Sequence, residues 1–210
     1  MQSFVLRGYR KMKEYADYID DLTKIADDFV RRYEATAQDD GGEKLYEHLS
    51  SRIKSVESMQ EKCSKIGVEL TAYNALKVVH DAIGVRVICL FIDDIMKNVN
   101  KIREMDGITI VKEKDYISAT KPNGYRSYHM LLEVESDVPD AAGNDPGKYY
   151  IEVQLRTIAM DTWAALEHEL RYKKDIKNSA IIAEELKRCA GELASCDISM
   201  QTLKDMIRGS

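Results

Sequence analysis

The stretch from Lys148 to Lys173, KYYIEVQLRTIAMDTWAALEHELRYK, constrains the fold more than any other part of the chain. Side chains alternate across a strand, so Ile151, Val153 and Leu155 share one face while Glu152, Gln154 and Arg156 share the other. The first face belongs to a core. The second sets an acid, an amide and a guanidinium in a row. A buried sheet carries three such groups on one face only where they line a cleft; on a half-exposed antiparallel sheet they are simply solvated. A helix from about Ala159 to Lys173 follows, with Trp163, Leu166 and Leu170 as its core residues.

Other segments supply the remaining elements. From about Tyr9 to Ala35, Tyr15, Ile19, Leu22, Ala26, Phe29 and Tyr33 recur at helical spacing, and QDDGG (Gln38–Gly42) ends that helix. A strand is expected from about Leu45 to Lys54. Ser55 then stands as the N-cap of a helix, VESMQEKCSKI, that stops at Gly67 and places Ser58, Lys62 and Lys65 on one face. Gly84–Ile92, GVRVICLFI, is apolar on both faces except at Arg86, the pattern of a central strand covered on both sides. A helix over Asp94–Met105, a strand over Ile108–Lys112, a polar loop over Glu113–Arg126, a strand over Tyr128–Glu135 and a loop over Asp137–Gly147 complete this region. The last helix, about Ser179–Ile207, carries two series spaced by seven: Ile182, Cys189, Cys196, Leu203 and Leu186, Leu193, Met200, Ile207. Such a seam packs either against the N-terminal helix or against another subunit.

Composition limits the function classes. The 210 residues are 44% hydrophobic and 32% charged, ordinary for a soluble domain with a sizeable core. A net charge of −5 gives no global attraction for nucleic acid, and no aromatic RNA-binding sheet motif is present. Local basic clusters, Arg52–Lys65 and Lys112–Arg126, suit a small anionic ligand. Four cysteines without CxxC spacing imply neither a zinc site nor a disulfide framework and point to a reducing cytoplasm. No run is long enough for a signal peptide or a membrane span.

Three constellations carry chemistry. Arg52, Lys54, Ser58 and Lys62 gather at a strand-to-helix junction, where backbone N–H groups and the helix dipole also favour anions; this can hold a polyphosphate, or be a solvated basic face. The Walker pattern is absent. His80-Asp81-x-x-Gly84-x-Arg86 opens a strand: the aspartate suits Mg²⁺ and the guanidinium can stack on a base, unless the two are a cap and a salt bridge. An HD-type phosphohydrolase would need more His and Asp ligands on helices, and only His48, His129 and His168 remain. Lys121-Pro-Asn-Gly-Tyr125-Arg126 is a turn with an aromatic between two cations, suited to a base with its phosphates or to an ordinary Pro-Asn-Gly turn. Asp161, near a helix start, is a helix-dipole partner or a reader of guanine.

RIKSVES with its following lysines, HDAIGVRVIC, KPNGYRSYH and EVQLRTIAMDTWAALEH, in this order over about Lys44–Lys174, resemble the synthetase domain of the RelA/SpoT family, and most of all its small stand-alone alarmone synthetases. The resemblance implies an α+β, nucleotidyltransferase-like fold: a mixed sheet of about five strands flanked by helices. The synthetase domain would span 44–174, with helical extensions at 1–43 and 175–210. It implies transfer of the β,γ-pyrophosphate of ATP to the 3′-hydroxyl of GDP or GTP, leaving AMP. By the same resemblance Arg52 and Arg86 sandwich adenine, Lys54, Ser58 and Lys62 hold the ATP phosphates, and Asp81 binds Mg²⁺. Glu152 acts at the 3′-hydroxyl as base or second magnesium contact. Tyr125 stacks on guanine, and Lys121, His129, Gln154, Arg156 and Asp161 complete the acceptor site. Val56 stands where the family often has proline, and Tyr128 where leucine is usual. The chain has no room for the long members' hydrolase and regulatory domains, so synthesis without degradation is expected. Several small members are tetramers, so a homo-oligomer is expected here. A catalytically inactive guanine-nucleotide-binding regulator is the alternative, and the presence of both Asp81 and Glu152 argues against it.

Overall fold

The computed structural model describes residues 13–38, 41–172 and 179–208. Its five strands, β1 (His48–Ile53), β2 (Ile83–Cys89), β3 (Ile108–Asp115), β4 (Tyr128–Ser136) and β5 (Gly147–Thr157), form one mixed sheet in the order β1-β2-β5-β4-β3. Only β2 and β5 run parallel. This is the α+β architecture expected. One face of the sheet is closed. Ile83, Val85, Val87, Met130, Leu132, Ile151, Val153 and Leu155 are buried on it. They form one core with Leu22, Phe29 and Tyr33 of α1 (Ile19–Thr36) and with Ile95, Val99 and Ile102 of α3 (Ile92–Arg103). The apolar alternation of β2 and β5 dictates this, because every second residue must leave water together.

Several boundaries differ from the sequence reading, each for a local reason. The N-terminal α-helix, expected from about Tyr9, is described from Ile19. Residues 9–12 lie outside the described residues, and Tyr15–Tyr18 form a 3₁₀ turn, held where the Asp17 carboxylate accepts from the Glu14 N–H at 2.8 Å. The first strand is shorter than Leu45–Lys54, and β3 is longer than Ile108–Lys112. A bulge at Val111 shifts the register and lets Lys112, Glu113, Lys114 and Asp115 keep pairing with β4 where a loop was expected. β2 ends at Cys89 and is covered fully on one face only: Gly84 and Arg86 are half-buried on the other, beside Ile88, which is buried. Leu166 is exposed, not core; Trp163 and Ala159 carry the buried stripe of α4 (Ile158–Tyr172).

The last helix, α5 (Ser179–Arg208), packs chiefly on α4 and α3 rather than on α1. Its buried stripe is Ala190, Ala194, Asp197 and Lys204. Polar contacts fasten it. Trp163 Nε1 donates to the Leu186 carbonyl at 2.7 Å, and Lys204 Nζ reaches Asp93 and Asp94 at 2.7 Å each. Leu203 and Ile207 of the heptad series stay exposed, together with Ile181, Ile198 and Met206.

Asn98 ties three elements together inside the core. It is fully buried, accepts from Tyr33 Oη at 2.5 Å, and donates to the carbonyls of Leu45 at 2.7 Å and Asp94 at 2.9 Å. Asn98→Ala strands a buried hydroxyl and a buried carbonyl, and should cost about 3 kcal/mol in urea-unfolding stability. A loss under about 1 kcal/mol would mean that water enters and replaces the amide.

Candidate active site

The open face of the sheet is built by register. Arg52 pairs with Gly84, Gly84 with Glu152, Glu152 with Leu131 and Leu131 with Lys112. Two residues along, Ser50, Arg86, Gln154, His129 and Lys114 form a second row across the same five strands. Directly opposed residues share a face, so these two rows gather functional side chains from every strand. The cleft reading of the Glu152–Gln154–Arg156 face is therefore the correct one. Gly84 leaves a bare floor between two arginines: the Arg52 side chain lies 3.6 Å from where a Cβ on Gly84 would stand.

At the β1 end, Ser55 caps α2 (Val56–Ile66), its hydroxyl accepting from the Ser58 N–H at 3.2 Å, and Gly67 closes the helix at φ 78°. A cavity of about 410 Å³ opens at this N-terminus, lined by Arg52, Lys54, Ser58, Lys62, Lys65 and Asp81. Lys54 and Lys62 hold the Asp81 carboxylate at 3.1 and 3.2 Å. All the sequence-predicted phosphate ligands thus meet in one place. A second cavity of about 110 Å³ joins Arg52, Asp81, Gly84 and Arg86 to Glu152 and Gln154. A third, of about 220 Å³, joins Asp81 and Glu152 to His80, His129, Lys112 and Lys114. Asp81 and Glu152 border both.

Beyond Glu152 lies a closed ring of hydrogen bonds. Gln154 Nε2 donates to Glu152 Oε2 at 3.1 Å, and Arg156 Nη2 donates to Gln154 Oε1 at 2.8 Å. Arg156 Nη2 also donates to Tyr125 Oη at 2.8 Å, Tyr125 Oη lies 2.7 Å from His129 Nε2, and His129 Nδ1 lies 3.3 Å from Glu152 Oε1. Arginine can only donate. The Tyr125 oxygen therefore accepts from Arg156 and passes its own proton toward His129 Nε2, which leaves Nδ1–H to donate to Glu152. The His129 bond, supported by Gln154 and the Lys62 charge, outweighs burial and lowers the Glu152 pKa to about 2. Glu152 is thus an ionised carboxylate throughout the neutral range.

Asp161 accepts from Arg156 Nη1 at 2.8 Å and lies 3.6 Å from Arg86 Nε, so it links the arginines of the two halves of the cleft. Lys121 Nζ sits over the Tyr125 ring at 4.8 Å and the Tyr116 ring at 4.4 Å, and Tyr116 meets Tyr125 and His129 edge-on. Sequence reading missed Tyr116. It lies in the segment read as a loop, directly after the extended end of β3, and its N–H bond to the Ser127 carbonyl at 3.0 Å holds it beside the turn. Among the described residues no group of three or more His, Cys, Asp or Glu side chains could hold a metal. This leaves an HD-type centre at His80–Asp81 without partners. Two hard carboxylates in one cleft, beside a phosphate-type pocket, fit a cation that takes its remaining ligands from substrate phosphates and water, as Mg²⁺ does.

A family model described as the region found in RelA / SpoT proteins matches residues 51–177. The chain belongs to the RelA/SpoT family. Within the curated relatives it is 42% identical over 149 residues to the GTP pyrophosphokinase YwaC of Bacillus subtilis, covering 71% of this chain and 69% of that protein. It is 28% identical over 162 residues to the GTP pyrophosphokinase YjbM of the same organism, covering 77% and 74%. The crystal structure of small alarmone synthetase 2 from Bacillus subtilis superposes with a TM-score of 0.79 at 35% identity, covering 91% of this chain and 98% of that one. Small alarmone synthetase 1 from Bacillus subtilis, bound to its product pppGpp, superposes with a TM-score of 0.72 at 26% identity, covering 94% and 96%.

The ring makes a prediction independent of turnover. Long-range ¹H–¹⁵N imidazole spectra should show His129 protonated at Nδ1 when neutral. Glu152 is ionised and can only accept at Nδ1, so Tyr125→Phe should keep this tautomer, whereas Tyr125→Phe combined with Glu152→Ala should let both appear. A His129 protonated at Nε2 in the unaltered protein would contradict the ring.

Proposed function

We propose that this chain is a GTP pyrophosphokinase of the cytoplasm, transferring the β,γ-pyrophosphate of ATP to the 3′-hydroxyl of GDP or GTP to give ppGpp or pppGpp and AMP. The observation that carries the reading is the placement of Asp81 and Glu152 in shared cavities, between a cation-lined pocket at a helix N-terminus and the Tyr125 turn. The similarity to the GTP pyrophosphokinases YwaC and YjbM supports it.

The residues divide the work. Arg52 and Arg86, flanking the bare Gly84 floor, present planar guanidinium groups to adenine. Lys54, Ser58, Lys62 and the first amides of α2 take the ATP phosphates. Tyr125 offers its ring to guanine; Lys121, His129, Gln154, Arg156 and Asp161 surround that side. Asp81 and Glu152 are the ligands for Mg²⁺, which when bound neutralises the charge that builds on the transferring pyrophosphate. Lys54 and Lys62 neutralise Asp81 in this structure; with a cation held by Asp81 both ammonium groups would be available to phosphate oxygens. The acceptor 3′-oxygen bonds to the β-phosphorus, the bond from that phosphorus to the α,β-bridging oxygen breaks, and AMP departs with the electron pair. Glu152, fixed on a strand by the ring, accepts the 3′-hydroxyl hydrogen bond, orients its oxygen in line and takes its proton as the O–P bond forms, passing that proton to water as the products leave.

Incubation of the purified protein with labelled ATP, Mg²⁺ and GDP or GTP should yield AMP and a 3′-pyrophosphorylated guanine nucleotide in equal amounts; AMP without that product overturns the reading. Glu152→Gln keeps shape but loses the charge, and should lower kcat by about a hundredfold or more with nucleotide affinities within about twofold, the mark of an interaction made in the transition state. Retained kcat with weakened guanine-nucleotide binding would make Glu152 a binding residue only.

The chain also assembles with itself in this proposal. Leu203 and Ile207 of the heptad series stay apolar and exposed on α5, with Ile181, Ile198 and Met206 exposed off that series, which leaves apolar surface for a second copy. Sedimentation at tens of micromolar should give a homo-oligomer, a tetramer being one such assembly. A monomer there refutes this part.

A further inference from the structure

Asp140 lies in the loop between β4 and β5, outside both nucleotide pockets, yet its side chain is wholly buried. Its carboxylate accepts from the Ala142 N–H at 2.9 Å, the Asn144 N–H at 3.0 Å, Asn144 Nδ2 at 2.8 Å and the Lys148 N–H at 3.0 Å. These bonds fold the loop on itself. The loop then crosses β5 so closely that a Cβ on Gly147 would stand 2.1 Å from the Val138 carbonyl oxygen. One donor comes from elsewhere. Lys77 Nζ reaches Asp140 at 2.5 Å and the Lys148 carbonyl at 2.6 Å. Burial alone would raise the Asp140 pKa; Lys77 and the amide donors reverse this and hold it well below the usual range.

Lys77 belongs to a π-helical turn, Asn74–Val78, closed by the Val79 N–H on the Asn74 carbonyl at 2.9 Å. His80 follows at φ 55°, the one non-glycine residue with positive φ among those described. Its ring lies on Tyr150 of β5, 3.8 Å between centroids. A wide turn and a left-handed residue are both costly, and both cluster where a chain must aim a side chain. The next residue is Asp81. Three attachments thus fix the Lys77–His80 segment to the first residues of β5: Lys77 to Asp140, Lys77 to the Lys148 carbonyl, and His80 to Tyr150. Four residues after Lys148 on that strand stands Glu152. A buried ion pair adds little net stability over apolar packing but strongly fixes geometry.

We infer that Lys77 and Asp140 are positioning residues: their contact, with the His80–Tyr150 stack, sets the Asp81 carboxylate relative to Glu152 and so sets the affinity of the pair for a divalent cation. This rests on the reading of Asp81 and Glu152 as the magnesium ligands. Neither Lys77 nor Asp140 touches a nucleotide pocket lined by those carboxylates.

The test measures Mn²⁺ binding by electron paramagnetic resonance on the full chain with a non-hydrolysable ATP analogue, beside the Mg²⁺ dependence of turnover and amide hydrogen exchange over residues 79–82. Lys77→Met should weaken Mn²⁺ binding about tenfold or more, the usual scale for losing a group that orients a metal ligand. The half-saturating Mg²⁺ concentration should rise in step, exchange at 79–82 should quicken, and binding of the analogue without metal should stay within about twofold of the unaltered chain. Lys77→Arg, which can still donate to both acceptors, should recover most of the metal affinity. His80→Gly, which leaves the Lys77–Asp140 pair intact and relieves the positive φ, should weaken metal binding in the same direction and serves if Lys77→Met does not fold. Unchanged Mn²⁺ binding in a folded Lys77→Met or His80→Gly protein overturns the inference, as does an equal loss of metal-free nucleotide binding. Asp81→Asn separates the two levels. If it binds Mn²⁺ normally, the magnesium reading itself fails; if it loses Mn²⁺ while the Lys77 and His80 variants keep it, only the positioning role fails.

Discussion

The site depends on one constraint, the register of β5 between a parallel neighbour and an antiparallel one. Ile151, Val153 and Leu155 must enter the core, and that requirement pins β5 against Ile83, Val85 and Val87 on one side and against Leu132, Met130 and Tyr128 on the other. A slip by one residue would bury Glu152, Gln154 and Arg156 and expose the apolar row. Burial of the core thus aligns the polar rows on the opposite face. Arg52, Glu152 and Lys112, and likewise Arg86, Gln154, His129 and Lys114, come from strands far apart in the chain and need no other device to meet.

Electrostatics then sorts the cleft. The chain carries a net charge of −5, yet its open sheet face gathers Arg52, Lys54, Lys62, Arg86, Lys112 and Lys114 around two carboxylates. Each carboxylate is held differently. Asp81 is met by the ammonium groups of Lys54 and Lys62, which a phosphate can recruit. Glu152 is met by the His129 and Gln154 side chains in a closed ring whose direction Arg156 fixes, so its charge persists and its orientation does not depend on a ligand. Because Asp161 touches both Arg86 and Arg156, a shift of either arginine is felt at the other, which couples the β2 and β5 sides of the polar face through a single carboxylate.

How far the sequence reveals this follows from how local each cause is. The α2 site was legible because Ser55 and Gly67 are local signals that act through the next three residues. The β5 face was legible because alternation is a property of one strand. The β3 extension was not. KEKD on an edge strand is charged on both faces, as exposed edges are, and the bulge at Val111 leaves no mark in composition. Gly84 and Arg86 broke the apolar run of β2 and were the sign that its second face is a cleft floor rather than a second core. Leu166 sat at core spacing, but α5 covers the Trp163 side of α4 and leaves Leu166 in water. The Tyr125–His129–Glu152–Gln154–Arg156 ring lay beyond reach, since its bonds span two strands and a turn whose register no local pattern states.

The two carboxylates also differ in what positions them, and this explains why an irregular segment persists beside a regular sheet. Glu152 sits mid-strand, where backbone pairing on both sides fixes it. Asp81 precedes β2, and ladder pairing begins only at Ile83. A residue at such a free end would swing with its chain. The π-helical turn, the left-handed His80 and the Lys77 bridge to the β4–β5 loop occupy the gap between the end of α2 and that first paired residue, and each ties back to β5 itself. The same strand therefore carries Glu152 directly and Asp81 by attachment, so a distortion of β5 would move the pair together and preserve their separation.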